Sequence, residues 1–236
     1  MKVRIKFSKD GEMRYIGHLD VMRYFQKAIR RAQIDIAYSE GMSPHMIMSF
    51  ASPLGVGLTS SGEYMDIEVR SPLSSEEMRA RLKAVMAEGV SILDCREVPQ
   101  GKASNAMSLV AAADYDIFLN TAREGSIWPD WLDEFLKQES ILVNKKTKKG
   151  ERTLDIHPLI YKYSIGENCM SVMVSAGSEE NLRPELIMSA CMDCKGYRYD
   201  PFAFRIHRKE LYASIDAEGE HRFVSLNDLG TPIVLS

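Results

Sequence analysis

KVRIKFSK, close to the start of the chain, constrains the fold more than any other stretch. Val3, Ile5 and Phe7 alternate with Lys2, Arg4 and Lys6. A period of two marks a strand with one apolar and one polar face. GEMRYIGHLD then makes a turn that ends in a cap candidate, Asp20. Beyond it Leu19, Met22, Phe25, Ile29 and Ala32 recur at helical spacing, and Arg23, Lys27, Arg30 and Arg31 fall on the opposite face. This pattern is an amphipathic helix with a basic outer stripe.

Met46 to Phe50 predicts a second strand, PLGVGLTSSG (Pro53 to Gly62) a glycine-bearing loop, and Glu63 to Arg70 a third strand. Ser74 or Ser75 caps a second helix with Met78, Leu82, Val85 and Met86 along its apolar stripe, and acids in its first turn. Val90 to Val98 closes the unit as a strand. The order β-α-β-β-α-β is that of a ferredoxin-like split βαβ, so the expected class is α+β with a ferredoxin-like domain over 1–98. Such a sheet buries one face under its helices. The other face would carry Lys2, Arg4, Lys6, Tyr64, Asp66, Glu68 and Arg70, read here as a self-neutralising solvated surface. It lacks the stacking rings of an RNA-recognition motif.

PQGKASN breaks the pattern, so 99–113 reads as a linker with a short helix over Ala106 to Ala113. Residues 114–236 form a looser second α+β domain, for which a repeat of the ferredoxin-like topology is one candidate. It holds a strand at Tyr115 to Asn120, a helix from Ser126 bearing Trp128 and Trp131, and hairpins over Ile141 to Asp155 and Tyr161 to Ser175. A helix from Pro184 and a strand at Phe202 to His207 follow.

The chain is 45% hydrophobic, 27% charged and carries a net charge of -3, an ordinary globular balance. No apolar run reaches the length of a membrane span. The N-terminus lacks a signal-peptide core, so the expected location is the cytoplasm. Of four cysteines, Cys191 and Cys194 form a lone CxxC. No second pair completes a zinc site, and the two read as buried free thiols on one helical face. No radical-SAM cluster motif CxxxCxxC is present, and no cofactor or metal is expected.

Polar and titratable residues concentrate in two places. The loop after the first helix holds Tyr38, Ser39, Gly41, Pro44 and His45 between two core elements, and loops carry function more often than cores. His18 and His45 are the candidates for proton transfer. In a split βαβ they start at opposite ends of the first helix, so the loop must fold back for them to meet. The hairpin tip carries Lys145, Lys146, Lys148, Lys149 and Arg152, cations that attract phosphate and also protect an edge. The binding candidates are therefore Arg23, Lys27, Arg30, Arg31, Tyr38, Ser39, His45 and these five.

Three blocks, KFSKDGEMRYIGHLDVMRYFQKAIRRAQIDIAYSEGMSPH, PLGVGLTSSGEYMDIEV and TKKGERTLDIHPLI, resemble the radical-SAM-associated bacterial family DUF2344. Gly17, His18, Asp20, Arg30, Arg31, Tyr38, Gly41, Pro44 and His45 match its characteristic motifs. Met42 stands where the pattern has an aromatic, usually Phe, and Met46 where it has Pro. The resemblance implies an accessory module, alone or fused behind a B12-binding radical-SAM protein, whose genes lie near those for a ribonuclease and a ribosomal protein. It assigns no catalytic residue.

Three function classes follow. The chain is an RNA-binding accessory module beside a radical-SAM enzyme, a metal-independent endoribonuclease using His18 or His45, or a protein-only adaptor whose Met42, Met46 and Met48 give an adaptable contact.

Overall fold

A computed structural model of the chain describes residues 1–120, 128–147, 150–178, 180–217 and 220–235. It is a mixed α+β protein of antiparallel strand pairs and few helices. It divides into two compact units, 1–112 with 208–236, and 113–207.

The first unit begins with β1 (Lys2–Lys9) and α1 (His18–Arg31), continues through β2 (Met48–Phe50), β3 (Thr59–Glu68), α2 (Ser75–Lys83) and β4 (Val90–Val98), and reaches α3 (Ala106–Leu109). Helix α1 is capped by Gly17, and Asp20 stands in its first turn rather than at the cap. The Ser74 hydroxyl accepts the Glu77 amide and so caps α2 as the sequence predicts. Strand β1 lies between β3 and β4, and β2 pairs with the C-terminal half of β3. The apolar side chains of β1 (Val3, Ile5, Phe7) pack with Val21, Phe25 and Ile29 of α1 and Met78 and Leu82 of α2. Each such fully buried side chain contributes about 1.5–3 kcal/mol relative to exposure.

The polar face of this sheet is largely covered: of the residues read as solvated only Arg70 is exposed, and Lys6 and Glu68 are half-buried. Lys2, Arg4, Tyr64 and Asp66 are all buried. The charges pair across strands as expected, with Arg4 opposite Asp66. The cover comes from the segment 102–106 and from the chain's C-terminal stretch. Arg4 donates to the carbonyls of Ser104 (2.8 Å) and Leu226 (3.1 Å), and Lys6 meets Glu210 at 2.7 Å. Buried charges persist only when paired and hydrogen-bonded, and these are.

The chain leaves this unit along β5 (Val110–Leu119), which begins where the sequence reading continues a helix. The second unit adds α4 (Trp128–Leu136), the hairpin β6 (Leu142–Thr147) and β7 (Gly150–Asp155), the hairpin β8 (Ile160–Ile165) and β9 (Cys169–Ser175), and α5 (Pro184–Cys194). Strand order runs β5, β9, β8, with α4 packed on α5 and β8. Leu132, Phe135, Ile187 and Met188 are buried. Of the CxxC pair, Cys191 is buried, but Cys194 is exposed at the last turn of α5, so the expectation of two buried thiols holds for one only.

The sequence reading keeps 114–236 together. In the structure β10 (Phe204–Ala217) carries the chain back. From Arg208 onward β10, with β11 (Glu220–Ser225) and β12 (Thr231–Pro232), belongs to the first unit. The Ser60 and Ser61 hydroxyls of β3 donate to the carbonyls of Arg208 and Lys209, and β12 pairs with β4. No described helix is long and apolar enough to cross a membrane.

Candidate functional site

The loop after α1 is closed by its own residues. Tyr38 bridges Met46, and the Ser39 amide donates to the His45 carbonyl at 2.9 Å. The His45 amide donates to Ser39 Oγ at 3.1 Å, and that hydroxyl lies 2.8 Å from His45 Nδ1. Gly41 turns the tip at a φ of 114°, a left-handed value open to glycine, and leaves Met42 fully exposed. His45 lines a hollow of about 300 Å³ together with Lys2, Ser49, Asp66, Glu68 and Asn105. Lys2 donates to the Gly101 carbonyl at 3.1 Å and to Asn105 Oδ1. Burial holds the Lys2 ammonium below its usual pKa, with Asp66 opposing that shift.

His18 stands elsewhere. Its ring meets Phe50 edge-on at 5.2 Å, and it lines a separate small hollow with Lys9, Ser52 and Glu63. The two hollows share no lining residue. Lys9 is also held below its ordinary value by burial and donates to the Ile16 carbonyl at 2.8 Å. Beside it, Glu63 takes two hydrogen bonds from Arg208, at 2.8 and 2.6 Å. The sequence reading missed Lys2, Lys9, Glu63 and Arg208 as partners. A period-two signal says which side chains leave the apolar core, not what covers them.

The basic stripe divides. Arg23 pairs with Asp20 at 3.1 Å in solvent. Lys27, Arg30 and Arg31 are exposed and gather with Tyr24 and with 85–87 around an open hollow of about 610 Å³. Arg31 donates to the Val85 carbonyl at 3.0 Å, and the Tyr24 hydroxyl accepts the Ala87 amide at 2.6 Å. Among the described residues no carboxylate pairs with Lys27, Arg30 or Arg31. Cations in the last turn of a helix complement its dipole, and the charge left in solvent remains available to an anion.

Of the hairpin cations, Lys145 and Lys146 lie on β6 and Arg152 on β7, with Lys145 opposite Arg152. Their side chains, and Lys148 and Lys149 altogether, lie outside the described residues.

Comparison with curated proteins finds no match. Among solved structures the chain is similar to one in a Cbf5–Nop10–Gar1 complex, at 11% identity and a TM-score of 0.45, covering 89% of this chain and 48% of that one. The chain thus spans about half the length of that structure, a likeness too distant to carry an argument. A family model does match, over residues 2–184, most of the chain, including α1, the Tyr38–Met46 loop and both histidines. The chain therefore belongs to the DUF2344 family, described as an uncharacterized protein conserved in bacteria.

Proposed function

We propose that this chain is a cytoplasmic accessory module that holds an RNA backbone on the outer face of α1 and works beside a radical-SAM enzyme. The observation that carries the RNA part is the open hollow bordered by Lys27, Arg30 and Arg31, which have no carboxylate partner among the described residues. Three cations without a carboxylate partner around one concavity attract phosphates, and each phosphate neutralised releases counterions. The radical-SAM partner rests on the family resemblance. We also propose a ferredoxin-like topology for each unit. The support is strand order, β4-β1-β3-β2 in the first and β10-β5-β9-β8 in the second, where β10 enters through Phe204 to His207.

In the endoribonuclease alternative a single histidine, His18 or His45, would act alone, because the two line separate hollows. The test is fluorescence anisotropy of labelled single-stranded RNA across a salt series. Three phosphate contacts give a slope of roughly -2 in log affinity against log salt. Arg30→Glu with Arg31→Glu removes most of that affinity. Unchanged binding in the double variant overturns the mapping. Absence of binding at low salt turns the question to the adaptor reading, tested by complex formation with the radical-SAM partner alone.

A further inference from the structure

The second unit carries a surface that charge patterning alone does not single out. The segment Tyr197 to Arg205 reads YRYDPFAFR, aromatic and basic residues interleaved. Tyr197 is 52% exposed and lies on Trp131 with centroids 5.1 Å apart and planes within 24°. Tyr199 and Phe204 stack nearly parallel, at 7° and 6.0 Å. Phe202 is 80% exposed. Arg205 sits over the Phe118 ring at 4.7 Å with its side chain exposed, and Arg198 is exposed.

Single exposed aromatics are ordinary on protein surfaces. This segment differs in three respects. Tyr199 and Phe204 stack on each other and Tyr197 on Trp131, so those π faces are held in fixed orientations. Phe202 sits on a short turn whose backbone is pinned, because the Asp200 carboxylate accepts the Phe202 amide at 2.9 Å. A ring presented from a fixed turn loses little freedom on contact. Finally, two of the nearby acids are engaged, while a third, Glu185, acts on Tyr199 by its charge. Asp200 is the cap, and Glu134 is paired with Lys195 at 2.5 Å. Arg198, between Tyr197 and Tyr199, and Arg205, after Phe204, then supply guanidinium groups.

We infer that the Tyr197–Arg205 segment is a stacking platform for the bases of single-stranded RNA. Planar rings next to guanidinium groups fit an unpaired nucleobase and its phosphate, and stacking tolerates any base because each has a π face. Bases in a duplex are already stacked and present no free face. An apolar peptide would leave both arginines without a counter-charge. The inference rests on the RNA reading above and deepens it: α1 contacts phosphates, whereas this segment contacts bases.

The test uses the full chain and two labelled probes of equal length, an oligoadenylate and an abasic phosphodiester strand. Phe202→Ala weakens oligoadenylate binding about fivefold or more and leaves the abasic strand unaffected. Tyr197→Ala acts in the same direction. The Arg30→Glu/Arg31→Glu variant weakens both probes. Phe202 is exposed, so its variant keeps the wild-type circular dichroism and melting temperature. Wild-type affinity of both aromatic variants for oligoadenylate overturns the platform and leaves the α1 reading standing. Loss in Phe202→Ala with no effect of charge reversal does the opposite. Failure of the wild-type chain to bind either strand overturns both.

Discussion

Arg4 grips Asp66 through two hydrogen bonds, Nε to Oδ1 at 2.8 Å and Nη2 to Oδ2 at 3.0 Å, with both side chains almost wholly buried. Asp66 also accepts the Ala106 amide at 2.7 Å, so one carboxylate ties β1, β3 and the start of α3 together. Removing one member of a buried pair leaves an uncompensated charge and costs about 3–5 kcal/mol. Asp66→Ala therefore lowers the urea midpoint of the chain by a large fraction of a typical domain's total stability. Arg4→Met combined with Asp66→Leu recovers part of the loss, but not all, because Lys2 and the Ala106 amide still lack their partner. A midpoint in Asp66→Ala equal to wild type would show that the pair contributes nothing.

Gly62 is required by a close approach of strands. A Cβ built there would fall on the Lys209 carbonyl oxygen and within 2.6 Å of the Glu210 Cα, both backbone atoms that cannot turn aside. Gly62→Ala must push β10 away from β3 or be relieved by a shift in register. The expected cost is about 1–3 kcal/mol, read as a lower melting temperature, with Gly101→Ala as a control in open space. Gly101 has a φ of 106°, so that control bears only a backbone penalty. A melting temperature less affected at Gly62 than at Gly101 would contradict the packing account.

Much of the first unit was legible because its signals are local. The alternation of Val3, Ile5 and Phe7, the helical spacing of Met22, Phe25, Ile29 and Ala32, and the Ser74 cap each act over a few residues, although Leu19, read on the same stripe, is exposed and Val21 is buried instead. The cover on the polar face was not legible, since Arg4 reaches the Leu226 carbonyl at a separation of 222 residues and Lys6 finds Glu210 at 204. Local propensity carries no information about such pairings. The same limit hid the return of β10. At the candidate site, Lys27, Arg30 and Arg31 could be placed together because three- and four-residue spacing puts them on one face. Arg23 shares that face, yet Asp20 three residues earlier neutralises it. Phe202 was read as the start of a strand, whereas it lies on the turn Pro201–Ala203 and β10 begins at Phe204, so its exposure was not legible.

Stability in alkali should fall in a defined direction. Burial pushes the Cys95 thiol up to about 12 from an ordinary 9.0, with the Asp94 charge adding to the rise. The folded thiol stays protonated while the unfolded thiol ionises, so the unfolded state holds fewer protons between those values. Stability is then complete below about pH 9 and is lost as pH climbs, by about 1.4 kcal/mol per pH unit for this group. Lys2 and Lys9 act with the opposite sign. Their folded pKa values are depressed, so the unfolded state holds more protons just below 10.5, and stability gains as pH rises there. Replacing the thiol by Cys95→Val isolates its share. The variant's urea midpoint should decline less than wild type between pH 9 and 11, and parallel declines would assign the loss to other groups.

The loop between Tyr38 and Met46 is closed by a β-bridge between those two residues. Its shape depends on one hydroxyl, because Ser39 Oγ takes the His45 amide at 3.1 Å and sits 2.8 Å from Nδ1 of the same residue. Most of the intervening residues are exposed and add little packing of their own. Ser39→Ala removes both contacts while leaving the Ser39 amide to His45 carbonyl bond. A hydrogen bond of this kind contributes about 1 kcal/mol, so local opening becomes roughly fivefold more frequent. Amide exchange at His45 should accelerate by about that factor, while core amides of β1 and β3 exchange as before. If the hollow beside Lys2 takes a ligand through His45, Ser39→Ala also weakens that ligand by freeing the imidazole. Unchanged exchange at His45 would mean that the Tyr38–Met46 bridge alone holds the loop.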